Sequence, residues 1–401
     1  MKSGAGEPIR RGVGPLLHAV NSSADSNVAG KANLTTRYNK PIQMEVAQTE
    51  PMVQVIVPAR NEEDCIARCL DSLVRQQGIA FSITLVDDGS TDRTRAIAES
   101  FPAVRVISAT EVVPGTTGKS NALVCGASDA RAEWLLFTDA DTFHLPGSLA
   151  TAVKEAEERR VDLLSYSPEQ ETVTWAEKAL IPVVFADLAR TYPPARVNDP
   201  ADPVAAANGQ YILVRRKAYE ELGGHRAVAK MVLEDVELAR LFKNAGRKIW
   251  FRHGAGLVST RMYRSFSAMV EGWTKNLALL FRKPIRLALI RELEFVAIVS
   301  LLCAGARMSL RQHYLSGMIL LFLGLVVYGN FLVRILGAHL SWKATVMAIL
   351  GLPLYSFLLM RSYLHSRVRG MVRWKGRTYT QSESRNSSES SIYKGEVPLK
   401  G

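Results

Sequence analysis

Short apolar runs that each end in polar residues are the feature that most limits how this 401-residue chain can fold. Such runs lie at residues 53–57, 83–86, 104–107 and 134–137, and helical patterns follow at about 62–73, 91–101, 120–130 and 149–160. Strands that alternate with helices predict an α/β domain with a mainly parallel sheet. Ligands of such sheets bind beyond the carboxyl ends of the strands, where the polar residues of this chain lie.

Further helical patterns cover residues 175–190 and about 233–245, and a proline-rich break at 193–203 is typical of a mobile active-site loop. Beyond Pro284 the sequence changes character. Residues 314–333 contain no charged side chain, and neither do residues 344–360, so both reach the length of a membrane span. Residues 295–306 are a shorter apolar run, which favours an interfacial or re-entrant helix over a full span.

The net charge of +12 divides unevenly along the chain. Residues 51–283 carry 29 basic and 29 acidic side chains, whereas residues 284–401 carry 15 basic and 5 acidic ones. A neutral folded domain argues against a nucleic-acid partner, which needs a basic surface. Basic residues after the second apolar stretch fit the positive-inside rule, and predict a multi-pass membrane protein with its catalytic domain on the cytoplasmic side.

These observations predict five regions. They are a flexible leader at 1–48, an α/β domain at 49–283, interfacial or amphipathic helices at 284–312, transmembrane helices within 313–361 (about 314–333 and 343–360), and a basic, then disordered, tail at 362–401.

Two carboxylates follow the fourth predicted strand, at Asp139 and Asp141. Carboxylates at this spacing can share one hard cation, which in turn binds the oxygens of a diphosphate. An isolated pair of this kind is more often part of a turn. Here Asp87 and Asp88 end another strand, and Lys119 lies at a predicted helix start suited to phosphates.

A second acidic pair, Glu234 and Asp235, follows the apolar residues 231–233. A carboxylate beside a bound sugar can accept the proton of an attacking hydroxyl, which is general-base catalysis. The alternative is that the pair only complements a helix dipole. His253 could complete a metal site, although a single histidine near a strand end is more often only hydrogen-bonded.

Taken together, these residues resemble the family-2 glycosyltransferases of the GT-A fold, over roughly residues 50–283. The resemblance depends on five ordered motifs: residues 57–62 (VPARNE), 87–92 (DDGSTD), Gly118-Lys119, 139–141 (DAD) and Glu234-Asp235. It implies an inverting transfer from a nucleotide-sugar. The residues that the resemblance assigns to donor binding are Pro58, Arg60, Glu62, Asp87, Asp88, Lys119 and Asp139. It also implies that Asp139 and Asp141 hold Mg²⁺ or Mn²⁺, and that Asp235 is the base, oriented by Glu234.

A finer resemblance involves residues 223–225 (GGH), 234–238 (EDVEL), 261–264 (RMYR), 271–273 (EGW) and 374–377 (WKGR). These segments are similar to the membrane-anchored branch that holds hopanoid-associated and carotenoid-acid (diaponeurosporenoate) glycosyltransferases, and more distantly to ceramide glucosyltransferases. That branch implies a lipid-like acceptor and a C-terminal anchor. Candidate acceptor or diphosphate contacts are His225, Arg261, Arg264, Trp273 and Lys275.

The sequence therefore predicts a membrane enzyme that moves a hexose from a nucleotide-sugar, preferentially a UDP-sugar, to a lipid-like acceptor. Two alternatives remain open: a glycan acceptor, and a membrane protein that binds a nucleotide-sugar without turnover. The Gln/Arg-x-x-Arg-Trp block of processive polysaccharide synthases does not occur in the sequence.

Overall fold

The computed structural model describes residues 51–338 and 341–366, and the backbone of 371–374 and 377–380. The leader predicted at 1–48 lies outside the described residues, as does the predicted tail beyond residue 380. The described residues belong to one compact unit, Thr49–Gly401.

Strands and helices alternate through the first half of the chain, as predicted. The strands are β1 (Val53–Ala59), β2 (Phe81–Asp87), β3 (Val104–Ser108), β4 (Trp134–Phe137), β5 (Thr142–His144), β6 (Leu163–Ser167), β7 (Glu169–Gln170), β8 (Ile212–Arg215), β9 (Ile249–His253), β10 (Val258–Thr260), β11 (Met371–Trp374) and β12 (Arg377–Thr380). The helices are α1 (Ile66–Val74), α2 (Thr94–Glu99), α3 (Gly118–Ala127), α4 (Ser148–Arg159), α5 (Trp175–Thr191), α6 (Pro194–Val197), α7 (Arg216–Glu221), α8 (Gly224–Ala227), α9 (Glu234–Asn244), α10 (Phe266–Leu280), α11 (Pro284–Leu310), α12 (Tyr314–Leu336) and α13 (Trp342–Leu364).

The central sheet has seven strands in the order β3-β2-β1-β4-β8-β6-β9. All neighbouring strands are parallel except at β8, which runs antiparallel to β4 and β6, so the prediction of a mainly parallel sheet is confirmed. The reversed strand matters for the site. Phe137 at the end of β4 pairs with Ile212 at the start of β8, so the segment before β8 meets the segment after β4.

Alternating side chains of the central strands enter two separate cores. Trp134 and Leu136 of β4 belong to one apolar cluster, with β1, β2 and α1, whereas Leu135 and Phe137 belong to the cluster on the opposite face. This is the two-residue period expected of a strand covered on both faces. The sheet is thereby rigid where its polar strand ends meet.

A third apolar cluster joins α5 to the C-terminal helices α10–α13. Helix α5 begins with a capping box in which Thr174 and Glu177 satisfy each other's backbone N–H groups, which fixes its start. The segment predicted as a loop at 193–203 contains the short helix α6, and its Val197 is fully buried. Only part of that segment is therefore irregular.

The apolar run 295–306 is the middle of α11, a single helix of 27 residues. Helices α12 and α13, each of 23 residues, cover the two longer apolar stretches. In the described part of the chain these two are long and apolar enough to cross a membrane, by length and composition alone. They differ in burial, since 17% of the most apolar window of α12 is buried against 50% for α13.

Candidate active site

A cavity of about 620 Å³ opens beyond the carboxyl ends of β1 and β4. Most of the residues predicted for the site line it. These are Pro58, Arg60, Glu62, Asp88, Lys119, Asp139, Asp141, Glu234, Asp235, Arg261, Arg264, Trp273 and Lys275, and His253 lines it too. The cavity lining does not include Asp87 or His225.

The loops after β1 and β2 are held together by hydrogen bonds at one end of the cavity. Asn61 Oδ1 accepts from the backbone N–H of Thr91 at 2.8 Å, and the Asn61 N–H donates to Ser90 Oγ at 3.1 Å. Asn61 has a φ of 52°, a left-handed conformation that asparagine tolerates better than most residues. Arg60 donates to the Asp88 and Gly89 carbonyl oxygens, so this wall is preorganised.

Asp87 lies within this wall and shapes it. Its Oδ1 accepts the Ser90 N–H at 3.1 Å, its Oδ2 lies 3.9 Å from the Arg95 guanidinium, and the residue is buried. The donor contact of Asp87 stays a prediction, and in the structure its carboxylate fixes the turn that presents Asp88. The physical reason is that an aspartate at a strand end readily accepts from the N–H groups of the turn that follows.

Asp139 and Asp141 follow β4 and face the cavity. The Lys119 Nζ lies 2.7 Å from Asp139 Oδ1, and the carbonyl oxygen of Asp141 accepts from Thr260 Oγ1. Within residues 51–338 and 341–366, no cluster of three or more His, Cys, Asp or Glu side chains suits a metal ion. Two carboxylates still fit Mg²⁺ or Mn²⁺, because such ions keep waters and take further oxygens from a bound diphosphate.

Lys119 connects the two acidic pairs. It is in the first turn of α3, where the Thr117 hydroxyl caps the helix by accepting the Ser120 N–H. Its Nζ also lies 3.0 Å from Glu234 Oε1. Burial opposes the charge on Lys119, but Asp139 and Glu234 outweigh it and hold the pKa of Lys119 well above its usual value. Lys119 is therefore a fixed cation facing the cavity.

Glu234 and Asp235 open α9, and their environments drive their pKa values apart. Burial opposes ionisation of Glu234, yet the positive charges of Lys119 and Lys275 lower its pKa. Burial, and then repulsion from Glu234, raise the pKa of Asp235 to about 6. The Asp235 oxygens accept from the N–H groups of Gly209, at 3.0 Å, and Val236, at 2.8 Å. A carboxylate with a pKa in this range is suited to accept a proton near neutral pH.

Gly209 is a site residue that the motifs did not reveal. A Cβ at this position would lie 3.0 Å from Lys119 Nζ and 3.5 Å from Asp235 Oδ2. Only the absence of a side chain lets the backbone approach both groups so closely. Gly209 precedes β8, and the antiparallel insertion of that strand, which the sequence pattern did not predict, brings it here.

His225 lies behind the cavity wall. Its ring is buried, contacts Phe137 edge-on with centroids 4.5 Å apart, and forms a 3.0 Å hydrogen bond with the Tyr219 hydroxyl. Burial lowers its pKa to about 4, so it is neutral at physiological pH. His225 packs in the core and does not line the cavity, and its role as an acceptor contact stays a prediction.

Helix α10 supplies another wall, with two polar atoms that lack partners. The Trp273 Nε1 and Asn276 Oδ1 atoms are buried and form no hydrogen bond with any described residue, and both side chains line the cavity. Residues three apart share a helix face. Sequence motifs identified Trp273 but missed Asn276. Of the two predicted arginines in the cavity lining, Arg261 pairs with the buried Glu177 at 3.1 Å.

The far end of the cavity is apolar. Phe185 and Leu188 of α5 and Tyr192, directly after α5, line it at spacings of three and four residues, together with Leu280 of α10. Residues 337 and 338, directly after α12, also line the cavity. One continuous cavity therefore joins a charged region to an apolar region.

Residues 54–223 match the family model of glycosyl transferase family 2. The chain is 28% identical over 343 residues to 4,4′-diaponeurosporenoate glycosyltransferase of Staphylococcus aureus (strain USA300), and the match covers 82% of this chain and 88% of the relative. The enzyme of that name from strain MRSA252 is 27% identical over 339 residues, with the same coverage.

Among solved structures, the chain is similar to the mannosyltransferase PcManGT from Pyrobaculum calidifontis in complex with GDP-Man and Mn²⁺. The TM-score is 0.45 at 19% identity, covering 79% of this chain and 87% of that one. Residues 1–349 of S. aureus TarS give a TM-score of 0.39 at 16% identity, covering 83% and 97%.

Proposed function

We propose that this chain is a family-2 glycosyltransferase of the GT-A fold, because residues 54–223 match that family's model and a named glycosyltransferase is 28% identical over most of the chain. In this proposal its cavity transfers a hexose from a nucleotide-sugar, preferentially a UDP-sugar, to a lipid-like acceptor with inversion. The observation that carries the proposal is Asp235. Its carboxylate has a pKa of about 6 and lines the same cavity as Asp139, Asp141 and Lys119.

The charged end of the cavity binds the donor in this proposal. Arg60, Glu62 and Asp88 contact the nucleoside side, and Lys119 offsets negative charge on the diphosphate. Lys119 is already held at the cavity by Asp139 and Glu234, so little reorganisation precedes binding. Asp139 and Asp141 would hold Mg²⁺ or Mn²⁺, which supplies Lewis-acid stabilisation of the departing diphosphate.

Asp235 receives the proton of the acceptor. Its two backbone hydrogen bonds fix the carboxylate, and the ionised Glu234 beside it raises its basicity. The acceptor oxygen attacks the anomeric carbon from the face opposite the diphosphate, so the C–O bond to the diphosphate breaks as the new C–O bond forms. The diphosphate leaves with the bonding electron pair, and inversion follows.

The apolar end of the cavity supports a lipid-like acceptor. Its walls from α5 and α10 suit an apolar chain, while Trp273 Nε1 and Asn276 Oδ1 are available to a polar head group. The relative at 28% identity is named for 4,4′-diaponeurosporenoate, and the C-terminal apolar helices would place the enzyme at the membrane that holds such acceptors.

The test is an incubation of membranes that contain the full chain with a panel of UDP- and GDP-sugars, with Mg²⁺ or Mn²⁺ and with a chelator. We expect one sugar to be incorporated into extracted lipid, as measured by mass spectrometry, and this incorporation to be lost with the chelator. Sugar recovered only in a water-soluble glycan would favour the glycan alternative. Donor binding with neither transfer nor hydrolysis would favour the non-catalytic alternative.

A further inference from the structure

Helices α11 and α12 form an antiparallel hairpin. Near one end, Glu294 of α11 accepts two 2.7 Å hydrogen bonds from Arg334 of α12. Towards the other end, a Cβ on Gly305 would lie 2.9 Å from the carbonyl oxygen of Gly317, and a Cβ on Gly317 would lie as close to that of Gly305. Close contact between small residues is typical of helix pairs in lipid. Residues 311–313 connect the helices and form the tip.

The base of this hairpin is fixed to the catalytic domain. Arg291 of α11 donates to both carboxylate oxygens of Asp187 in α5, at 2.6 and 2.9 Å, and both residues are buried. Residues 337 and 338, directly after α12, line the catalytic cavity. The C-terminal end of α12 therefore lies beside the active site, whereas the hairpin tip is at the opposite end of both helices.

The rest of the hairpin exposes a continuous apolar surface. Large side chains more than a third exposed include Leu293, Val296, Val299, Leu310, Leu315, Met318, Phe322, Leu325 and Val333. No charged residue occurs between Glu294 and Arg307 of α11, or between Tyr314 and Val333 of α12. At 1.5 Å per residue the 23 residues of α12 extend about 34 Å, enough to cross a hydrocarbon core of about 30 Å. The uncharged run of α11 at 295–306 extends only about 18 Å, so in a hairpin that crosses with α12 the side chains of Glu294 and Arg307 must extend towards the two interfaces.

Helix α13 has different surroundings. A Cβ on Gly351 would lie 2.0 Å from the carbonyl oxygen of Ala179 in α5, so the two helices touch at mid-length of α13. Near the end of α13, Ser362 Oγ accepts the N–H of Ala278 in α10 at 2.9 Å. A helix that crossed the membrane away from the domain would contact it near one end only. Helix α13 instead follows the domain from Gly351 to Ser362.

From these contacts we infer that the membrane-crossing element is the α11–α12 hairpin, and that α13 lies against the catalytic domain instead of spanning the bilayer. The occupant of the exposed hairpin surface is the acyl-chain interior of a phospholipid bilayer. The inference rests on the membrane association in the proposed function. The inference puts Lys343 on the side of the membrane that holds the catalytic domain, and His313 on the opposite side. The sequence prediction of spans at 314–333 and 343–360 puts these two residues the other way round.

Single-cysteine labelling in intact and lysed bacterial spheroplasts distinguishes the two arrangements. The background is the full chain with Cys125→Ser and Cys303→Ser, since Cys65 and Cys69 are buried. His313→Cys introduces an exposed thiol at the hairpin tip, and Lys343→Cys introduces one in the first turn of α13. Lys154→Cys, exposed on α4, marks the side that holds the catalytic domain. The probe is a membrane-impermeant maleimide.

We expect Lys343→Cys to react under the same conditions as Lys154→Cys, and His313→Cys to react from the opposite side. Reaction of Lys343→Cys from the side opposite Lys154→Cys overturns the inference, and so does a His313 thiol that is not reached from that opposite side. Arg311→Cys is the second tip variant and must agree with His313→Cys.

Two controls separate this inference from the proposed function. Every variant is assayed for sugar transfer, so that only correctly folded chains are scored. Reversed labelling in an active, membrane-bound enzyme rejects the hairpin and leaves the transfer reaction standing. Recovery of the active enzyme in the soluble fraction would instead reject membrane association itself, and with it the inference.

Discussion

Among the described residues, the charge cluster at the hairpin base and the one in the cavity differ in the balance of acids and bases. At the hairpin base, the carboxylates of Asp187 and Glu294 face the guanidinium groups of Arg291 and Arg334, so the charges match. Every carboxylate there accepts hydrogen bonds from an arginine. A matched cluster of this kind fixes α11 and α12 to α5 and offers no group to a substrate.

The cavity cluster has an excess of acid. Lys119 contacts Asp139 and Glu234 directly, while Asp235 has only backbone donors and a carboxylate neighbour. The unmatched negative charge is what raises the pKa of Asp235 beyond the effect of burial. Both clusters are buried, so the comparison teaches that the balance of acids and bases within a buried cluster separates a structural ion pair from a reactive site.

The largest expected effect is on the matched cluster. Arg291→Met leaves the carboxylate of Asp187 buried without its partner, so the free energy of unfolding should fall by about 3–5 kcal/mol. The double variant Asp187→Leu/Arg291→Met removes both charges and should recover most of the loss. Thermal unfolding in detergent measures both. Equal stability of the single variant and the parent would mean that the ion pair does not hold the helices.

In the cavity cluster, Asp235→Asn removes the base and keeps the shape of the side chain. Turnover should fall about a hundredfold, the usual scale of general-base catalysis, with donor affinity nearly unchanged. Glu237→Gln, on the same helix but outside the cavity lining, is the matched control and should retain full activity. Near-normal turnover of Asp235→Asn would point to an acceptor that is already ionised, such as a carboxylate.

A smaller change in activity is expected when the excess of acidic side chains in the cavity cluster is reduced. Glu234→Gln removes the repulsion that raises the pKa of Asp235, so the acid limb of the pH–rate profile should move to lower pH. The sign follows because Asp235 must be deprotonated to act, and a lower pKa keeps it deprotonated in more acidic solution. If the acid limb of the pH–rate profile does not move, burial alone raises the pKa of Asp235.

Gly209→Ala tests whether the close approach of the Gly209 backbone to Lys119 and Asp235 is needed for activity. The added Cβ would meet Lys119 Nζ at 3.0 Å, and the displaced ammonium should lower kcat/KM about tenfold while the fold is retained. The comparison variant is Gly329→Ala in α12, where a Cβ meets nothing within 4 Å and no loss is expected. Equal kinetics for the two variants would show that the close approach is not needed.

Much of this site was predictable because parallel strands align their carboxyl ends. Asp139 and Asp141 follow β4, Lys119 lies in the first turn of α3, and the sequence pattern predicted that they meet at one sheet edge. Gly209 and Asn276 were not predictable in the same way. Gly209 reaches the site through the reversed strand β8, and Asn276 through a helix that packs on α13 from far along the chain.

Local hydrogen bonds explain why two residues of the sequence motifs do not line the cavity. Asp87 and His225 belong to recognisable motifs, and in the structure Asp87 accepts from the Ser90 N–H while His225 bonds to the Tyr219 hydroxyl. Hydropathy likewise identifies both α12 and α13 as candidate spans, because it counts apolar residues without showing what covers them.

The most direct test of Asp235 as the base is the pH dependence of kcat/KM for sugar transfer by the full chain in membranes. The pKa of about 6 predicts that kcat/KM falls about tenfold per pH unit below pH 6 and levels off above it. The limb should vanish from the residual activity of Asp235→Asn. A profile that stays flat from about pH 5 to 8 in the parent enzyme would contradict the assignment.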